Sequence, residues 1–270
     1  MTYQPVVPVG GIAGWAFLQR TRENQQEAFD NSVSISRAVS DFEARIGQIS
    51  TAEDLVSDRR LLSVALGAFG LSDDIDSRFF IRSVLESDSL DPGSLANRLS
   101  DKRYLALSEA FGFGTFDTPR TVLSTFPAEI TSRFKEREFE VALGNQSESM
   151  RAAAGFGREL ASLTEDVQSE EALWFSVMAN PALRVVFEGG LALPSSIGSL
   201  DVDRQRTLFE DKAAALFGDA TVSQFLDPEA QEDLVRRYLA QSEIEAGPSG
   251  SVRGSAALAL LQASPILPLA

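Results

Sequence analysis

One short phrase occurs twice in this chain, and it fixes the kind of element the chain can be built from. Asp58-Arg59-Arg60-Leu61-Leu62 leads into Ala68-Phe69-Gly70-Leu71, and Asp101-Lys102-Arg103-Tyr104-Leu105 leads into Ala110-Phe111-Gly112-Phe113. With one residue gapped, each copy has an acid, an apolar stretch, an aromatic residue and then glycine. The acid comes early in a helical segment, and glycine takes the conformation that stops a helix. The phrase predicts a helical segment with a buried aromatic near its end, stopped at Gly70 and again at Gly112.

Helical signals continue along the rest of the chain. Trp15, Leu18, Phe29, Val33, Ile35, Val39, Phe42 and Ile46 recur at three- and four-residue steps, so residues 12–49 read as one long helix or two collinear ones. Within it, Arg20 to Glu27 is polar on nearly every face, which suits a solvated stretch or one clasped by a partner. Thr51-Ala52-Glu53-Asp54 is a capping signal for a helix running through Leu55, Leu61 and Leu66 to Gly70. Ser72-Asp73-Asp74 is expected to cap the next, which carries Phe79, Ile81, Val84 and Leu85 as core residues. Asp91-Pro92-Gly93 breaks the chain before a helix through Leu95 and Leu107, and Thr118-Pro119 starts another. A second long stretch, 128–165, is interrupted at Gly144 to Ser147. Asp201-Val202-Asp203 and Asp227-Pro228 open the last two clear helices. No segment shows the strict alternation of a strand.

The fold class expected is all-α, a multi-helix bundle of one lobe or two related lobes. The organisation is a flexible lead-in at 1–11, an N-terminal lobe at 12–127, a C-terminal lobe at 128–245, and a linker with an apolar tail at 246–270. Relatedness of the lobes rests on Asp58 and Asn180, Leu61 and Leu183, and Leu71 and Leu193, three pairs that share an offset of 122 residues.

Composition narrows the chemistry. The 270 residues include no His and no Cys, which removes Ser-His-Asp triads, thiol nucleophiles, imidazole proton transfer, disulfides and the preferred ligands of transition metals. Net charge is −15, from 39 acids and 24 bases, so nucleic acid and anionic membrane surfaces are poor partners. No run of about 18 apolar residues exists, and no membrane insertion is expected. Met1 to Pro5 lacks the basic and apolar regions of a secretory signal, so the expected location is cytoplasmic.

Carboxylates are the plausible catalytic groups that remain. Asp73, Asp74 and Asp76 cluster, as do Asp201 and Asp203, and paired acids can do general acid/base work or hold a hard cation. Both clusters sit where helices should begin, so capping is the preferred reading. Gly10-Gly11-Ile12-Ala13-Gly14 and Gly155-Phe156-Gly157 lack the strand and the further residues of phosphate loops. No catalytic, cofactor or metal residue is assigned, and no cofactor is expected. The candidate contact residues for a protein partner are Trp15, beside the polar helix section, and Leu258, Leu260 and Leu261 in the tail.

The chain resembles a bacterial family catalogued as domain of unknown function 1217, whose members are typically encoded among flagellar genes. Gly14-Trp15, Phe17-Leu18, Ala28-Phe29 and the stretch Asp58 to Leu71 carry the likeness. It continues through Phe80-Ile81, Val84-Leu85-Glu86, Ser94 to Asn97, Leu99 to Tyr104 and Ala110-Phe111. Later it includes Trp174-Phe175, Pro181, Leu183-Arg184, Leu193-Pro194 and Asp201 to Gln205. The resemblance implies a helical, non-enzymatic protein connected with flagellar assembly or regulation, and it brings no catalytic residue. The function expected is protein–protein interaction in the flagellar system, with flagellar components as partners and export through the flagellar apparatus left open. The alternative is an enzyme using carboxylates, with or without Mg²⁺.

Overall fold

The computed structural model describes residues 3–166 and 169–246, which form thirteen α-helices and no strand. The helices are α1 (Gly11–Asp30), α2 (Val33–Arg45), α3 (Ala52–Ser57), α4 (Arg59–Ala68), α5 (Arg78–Leu85), α6 (Leu95–Arg98) and α7 (Arg103–Phe111). They continue with α8 (Phe126–Gly144), α9 (Glu148–Asp166), α10 (Glu170–Ala179), α11 (Pro181–Gly190), α12 (Val202–Phe217) and α13 (Pro228–Glu245). The all-α, multi-helix class read from the sequence is the one observed.

The repeated phrase forms the predicted unit twice. Asp58 Oδ1 accepts from the backbone N–H groups of Arg60 and Leu61, and Asp101 Oδ1 from that of Arg103. Phe69 and Phe111 are buried, and Gly70 and Gly112 follow them at φ +68° and +67°. A side chain would be strained at that φ, which is why glycine ends both helices.

Several boundaries differ from expectation, each for a local reason. The 12–49 stretch breaks at Asn31–Ser32 into α1 and α2. The helix expected from Leu55 to Gly70 is two helices, because Asp58 is extended (φ −99°, ψ 99°) and spends its carboxylate capping α4. The Leu95–Leu107 helix is likewise split into α6 and α7. Ser72, Asp73 and Asp74 form a 3₁₀ turn and do not cap α5, which starts four residues further on at Arg78.

The two halves repeat one packing scheme. In the first, α2 lies on α4, α3 on α4 and α5, and α8 on α4 and α2. In the second, α9 lies on α11, α10 on α11 and α12, and α13 on α11 and α9. Detail at the 122-residue offset agrees. Asn180, extended at φ −94° and ψ 109°, caps α11 through Ala182 N–H and Leu183 N–H, as Asp58 caps α4. Both helices end in a Schellman motif. Leu71 N–H donates to Leu66 O at 2.9 Å and Leu193 N–H to Glu188 O at 2.8 Å. Gly67 and Gly189 also correspond, and a Cβ on either would sit 2.7 Å from an aromatic ring, Phe134 of α8 or Tyr238 of α13. By packing, α8 belongs with the first unit, so the units meet at the turn after Gly144 and not ahead of α8.

One continuous apolar core runs through both units. Phe187 stands at the centre of the second, with edge-on contacts to Phe156, Trp174 and Phe225. Burying each such ring contributes about 1.5–3 kcal/mol. Helix α1 closes the ends of the chain together: the Trp15 indole N–H donates to Glu232 of α13 at 3.0 Å. The segment ahead of α1 is held as well. Val6 N–H donates to Gln25 Oε1 at 2.6 Å, Gln25 Nε2 donates back to Val6 O, and Gln146 Nε2 donates to Pro5 O. The polar section of α1 is thus clasped in part by the chain's own lead-in.

The two units differ at the ends of α4 and α11. Where the first unit has Gly70, the second has Ala192, at φ 52° and exposed. The left-handed conformation costs an L-residue roughly 1–2 kcal/mol, and glycine's extra chain entropy returns about 0.5–1 kcal/mol of that. Ala192→Gly is therefore expected to stabilise the protein by about 0.5–1 kcal/mol in urea unfolding.

Candidate functional site: an exposed apolar face on the charge-neutral segment

The carboxylates come first, as the only candidates for chemistry that the sequence offered. Asp201 caps α12, with Oδ1 accepting from Arg204 N–H at 3.0 Å, and Asp203 is exposed in the first turn. Asp74 accepts from the Tyr104 hydroxyl at 2.7 Å, and Asp76 pairs with Arg59 at 2.5 Å. The Arg59 hydrogen bond and charge hold Asp76 below the usual carboxylate range. Burial, with Asp74 beside it, pushes Tyr104 up to about 12. Among the described residues no three Asp or Glu converge in a way that could hold a metal ion.

Buried charge is concentrated where α8 meets α9. Arg158 pairs with Glu140 at 2.5 Å and Glu159 at 3.1 Å, and Arg137 pairs with Glu159 at 2.6 Å. Burial raises the Glu159 pKa, but the Arg137 and Arg158 guanidiniums outweigh it and hold the group below its ordinary value. The four groups neutralise one another, and their geometry ties the two units together. Glu138 stands outside the network, and burial alone pushes its pKa up.

The outer surface divides by charge. Residues 59–137 carry 11 bases and 11 acids, whereas residues 138–246 carry 8 bases and 20 acids. Residues 1–58 carry 4 bases and 8 acids, so most of the acidity lies in the second unit and the 59–137 stretch is balanced. On the neutral segment lie Phe79, Leu90, Leu95, Phe116, Val122 and Leu123, all exposed. Among the described residues the two exposed phenylalanines, Phe79 (84%) and Phe116 (48%), are both here.

Hydrogen bonds join the segments that carry three of these side chains. Ser89 N–H donates to Thr115 Oγ1 at 2.9 Å, and Asn97 Nδ2 donates to the carbonyls of Ser89 and Asp91. The loops that carry Leu90 and Phe116, and helix α6 with Leu95, are so held against one another. Gly114 permits this: a Cβ there would lie 2.2 Å from Glu86 O. Leu90, 75% exposed, thus stands on a segment tied to those of Leu95 and Phe116, and the three give this side of the molecule an apolar character.

Two shallow depressions accompany it. One, of about 240 Å³, lies between α3 and α5 and is lined by Glu53, Val56, Ser57, Arg78, Phe79 and Arg82. The other, of about 370 Å³, lies between α1 and α8 and is walled by polar side chains such as Gln19, Arg22 and Glu136.

The residues singled out from the sequence lie elsewhere. Trp15 is 6% exposed, and its ring serves the α1–α13 contact within the chain. Leu258, Leu260 and Leu261 lie outside the described residues. Phe79, expected in the core, projects into solvent. Its spacing held the signal: Ile81, Val84 and Leu85 define the buried stripe of α5, and Phe79 lies about 200° round the helix from Ile81.

The model of a protein family of unknown function, DUF1217, matches residues 68–230. An X-ray crystal structure of a protein from Agrobacterium tumefaciens is similar in fold, with a TM-score of 0.72 and 22% sequence identity. The match covers 90% of this chain and 99% of that one. No curated protein sequence matches. Among the described residues no helix is long and apolar enough to cross a membrane.

Two measurements check the roles given to the acids. Asp201→Ala is expected to cost about 1 kcal/mol as a lost cap, and Asp73→Ala to stay within about 0.5 kcal/mol of the parent. Glu138 carries a raised pKa, so its ionised form opposes folding above that pKa. Glu138→Gln should stabilise the protein at neutral pH, and the gain should vanish as pH falls below the ordinary value of 4.5. Urea midpoints at several pH values read both.

Proposed function

The chain belongs to the DUF1217 family, and from that premise we propose that it is a non-enzymatic protein–protein interaction component of the bacterial flagellar system. It acts as an assembly or regulatory partner, and docks through the Leu90–Leu95–Phe116 face. The observation that carries this reading is the group of exposed apolar side chains, on segments tied together by hydrogen bonds, in a charge-balanced stretch of an acidic molecule. Clustered apolar surface of this kind marks interaction sites, whereas single exposed side chains are ordinary. Aromatic residues, of which Phe116 is one, are enriched at interface centres. The flagellar assignment is supported by the sequence resemblance alone.

A docking protein needs one face that is free of like-charge repulsion. Net charge of −15 keeps the chain soluble and holds back acidic partners, and the first unit presents the face where that repulsion is weakest. The acidic second unit steers basic partners towards the molecule.

A photo-crosslinking residue placed at Leu90 or Phe116 in the parent bacterium is expected to capture flagellar export or axial proteins. The same residue at Asp211, on the acidic unit, should capture none. Leu90→Asp with Phe116→Asp should reduce swimming and leave the melting temperature unchanged, since both side chains are exposed. Capture of no protein from either position, or normal motility in the double variant, would sink the proposal.

A further inference from the structure

The internal repeat allows the two copies of one groove to be compared. Helices α5 and α12 align at their first residues, Arg78 and Val202, which places Arg82 with Arg206, Leu85 with Phe209 and Glu86 with Glu210. The chemistry agrees. Arg82 reaches Glu86 one turn on and crosses to Glu53 of α3. Arg206 reaches Glu210 one turn on and crosses to Glu171 of α10 at 3.9 Å. Leu85 and Phe209 are both fully buried. An arginine at the same position joins the equivalent pair of helices in each unit, although the acid it crosses to stands at a different position, Glu171 aligning with Ile49.

The contents of the grooves differ. In the second unit Phe175 of α10 lies under the Arg206 guanidinium, 5.7 Å from ring centroid to Cζ. Aligned from the caps Asp58 and Asn180, the position of Phe175 is held in the first unit by Glu53. No ring fills the α3–α5 groove, and the 240 Å³ notch remains. Beside it stands Phe79, at the position where the second unit has the solvent-exposed Asp203. A ring at that position is therefore not required to fold or cap the helix.

We propose that this face pairs with the same face of a second copy of the chain, each Phe79 seating in the other's notch against Val56 and Arg82. A knob and a hole on one surface are what a two-fold contact requires, since every residue must then meet its partner reciprocally. Arg78 lines the same face and makes no ion pair among the described residues, which leaves its charge for an acid of the second copy. The second unit displays the filled arrangement within a single chain, a phenyl ring against the clamping arginine, an attraction that strengthens when water is excluded. The face also lies beside the neutral segment, where two copies of net charge −15 can approach with least repulsion. This contact uses the groove between α3 and α5, apart from the Leu90–Phe116 face, and stands or falls separately from it.

Sedimentation equilibrium of the full chain over a range of concentrations tests the proposal. The parent is expected to show a reversible monomer–dimer equilibrium. Phe79→Asp, which restores the residue type of the second unit, should weaken the dimer about thirtyfold or more, as loss of a central anchor does. Ser57→Trp, which plugs the notch without altering Phe79, should do the same. Leu90→Asp should leave the dimer intact, and unchanged melting would show that the Phe79 variant is folded. A parent chain that is monomeric at every concentration overturns the proposal. So does a dimer indifferent to Phe79→Asp, or a chain that stays monomeric while Phe79 crosslinks to a different protein.

Discussion

Two glycines set the spacing from which the rest of this fold follows. At Gly67 and Gly189 there is no room for a side chain, because the ring of Phe134 or Tyr238 occupies the space a Cβ would need. The close approach puts α8 against α4 and α13 against α11, and these contacts form the spine of each unit. Close packing turns small volume changes into strain, so an added methyl at either glycine must displace a ring that the core already holds on its other side. The Schellman ends fall three residues after each glycine and aim the chain away from the spine. The Asp58 and Asn180 corners, nine residues before, aim it in. A single turn–helix–turn module, used twice, defines the path.

The units are joined by charge as well as by apolar contact. Arg137, Glu140, Arg158 and Glu159 lie between α8 and α9, and no one of them is neutralised without the others. Buried pairs of this kind contribute little net stability, since desolvation offsets their attraction. They do penalise any shift of α9 along α8, because a shift would strand a charge. The apolar core supplies the stability of the joint, and the ion network supplies its register.

What the sequence made legible is what is decided within a few residues. The Thr51 capping box, the Asp201 and Asp227 caps and the glycine stops at 70 and 112 all sit where local chemistry placed them. The 122-residue offset was visible in three residue pairs, and its geometry matches at the caps, the glycines and the helix ends. The breaks at Asp58 and Leu99 were hidden because apolar spacing continues across them, and only the extended backbone reveals the corner. Phe79 was misread because its residue type suggested core, although the phase of its own helix pointed outward. Trp15 drew attention for its position near the chain start, and its partner Glu232 is 217 residues away, beyond the reach of any spacing argument. The apolar face at Leu90 and Phe116 depends on a Ser89–Thr115 hydrogen bond that joins two loops, and no window of sequence contains it.

That long separation has a consequence for synthesis. Helix α1 leaves the ribosome first, whereas α13, which covers Trp15, leaves among the last of the described residues. At elongation rates of about 5–20 residues per second, the interval is roughly 10–40 seconds. During it the first unit can close on itself, because its helices contact one another at short range. The stripe of α1 that carries Trp15 still lacks its cover. A run as polar as Arg20 to Glu27 is compatible with water on every face, which suits a helix that waits for its last neighbour to emerge.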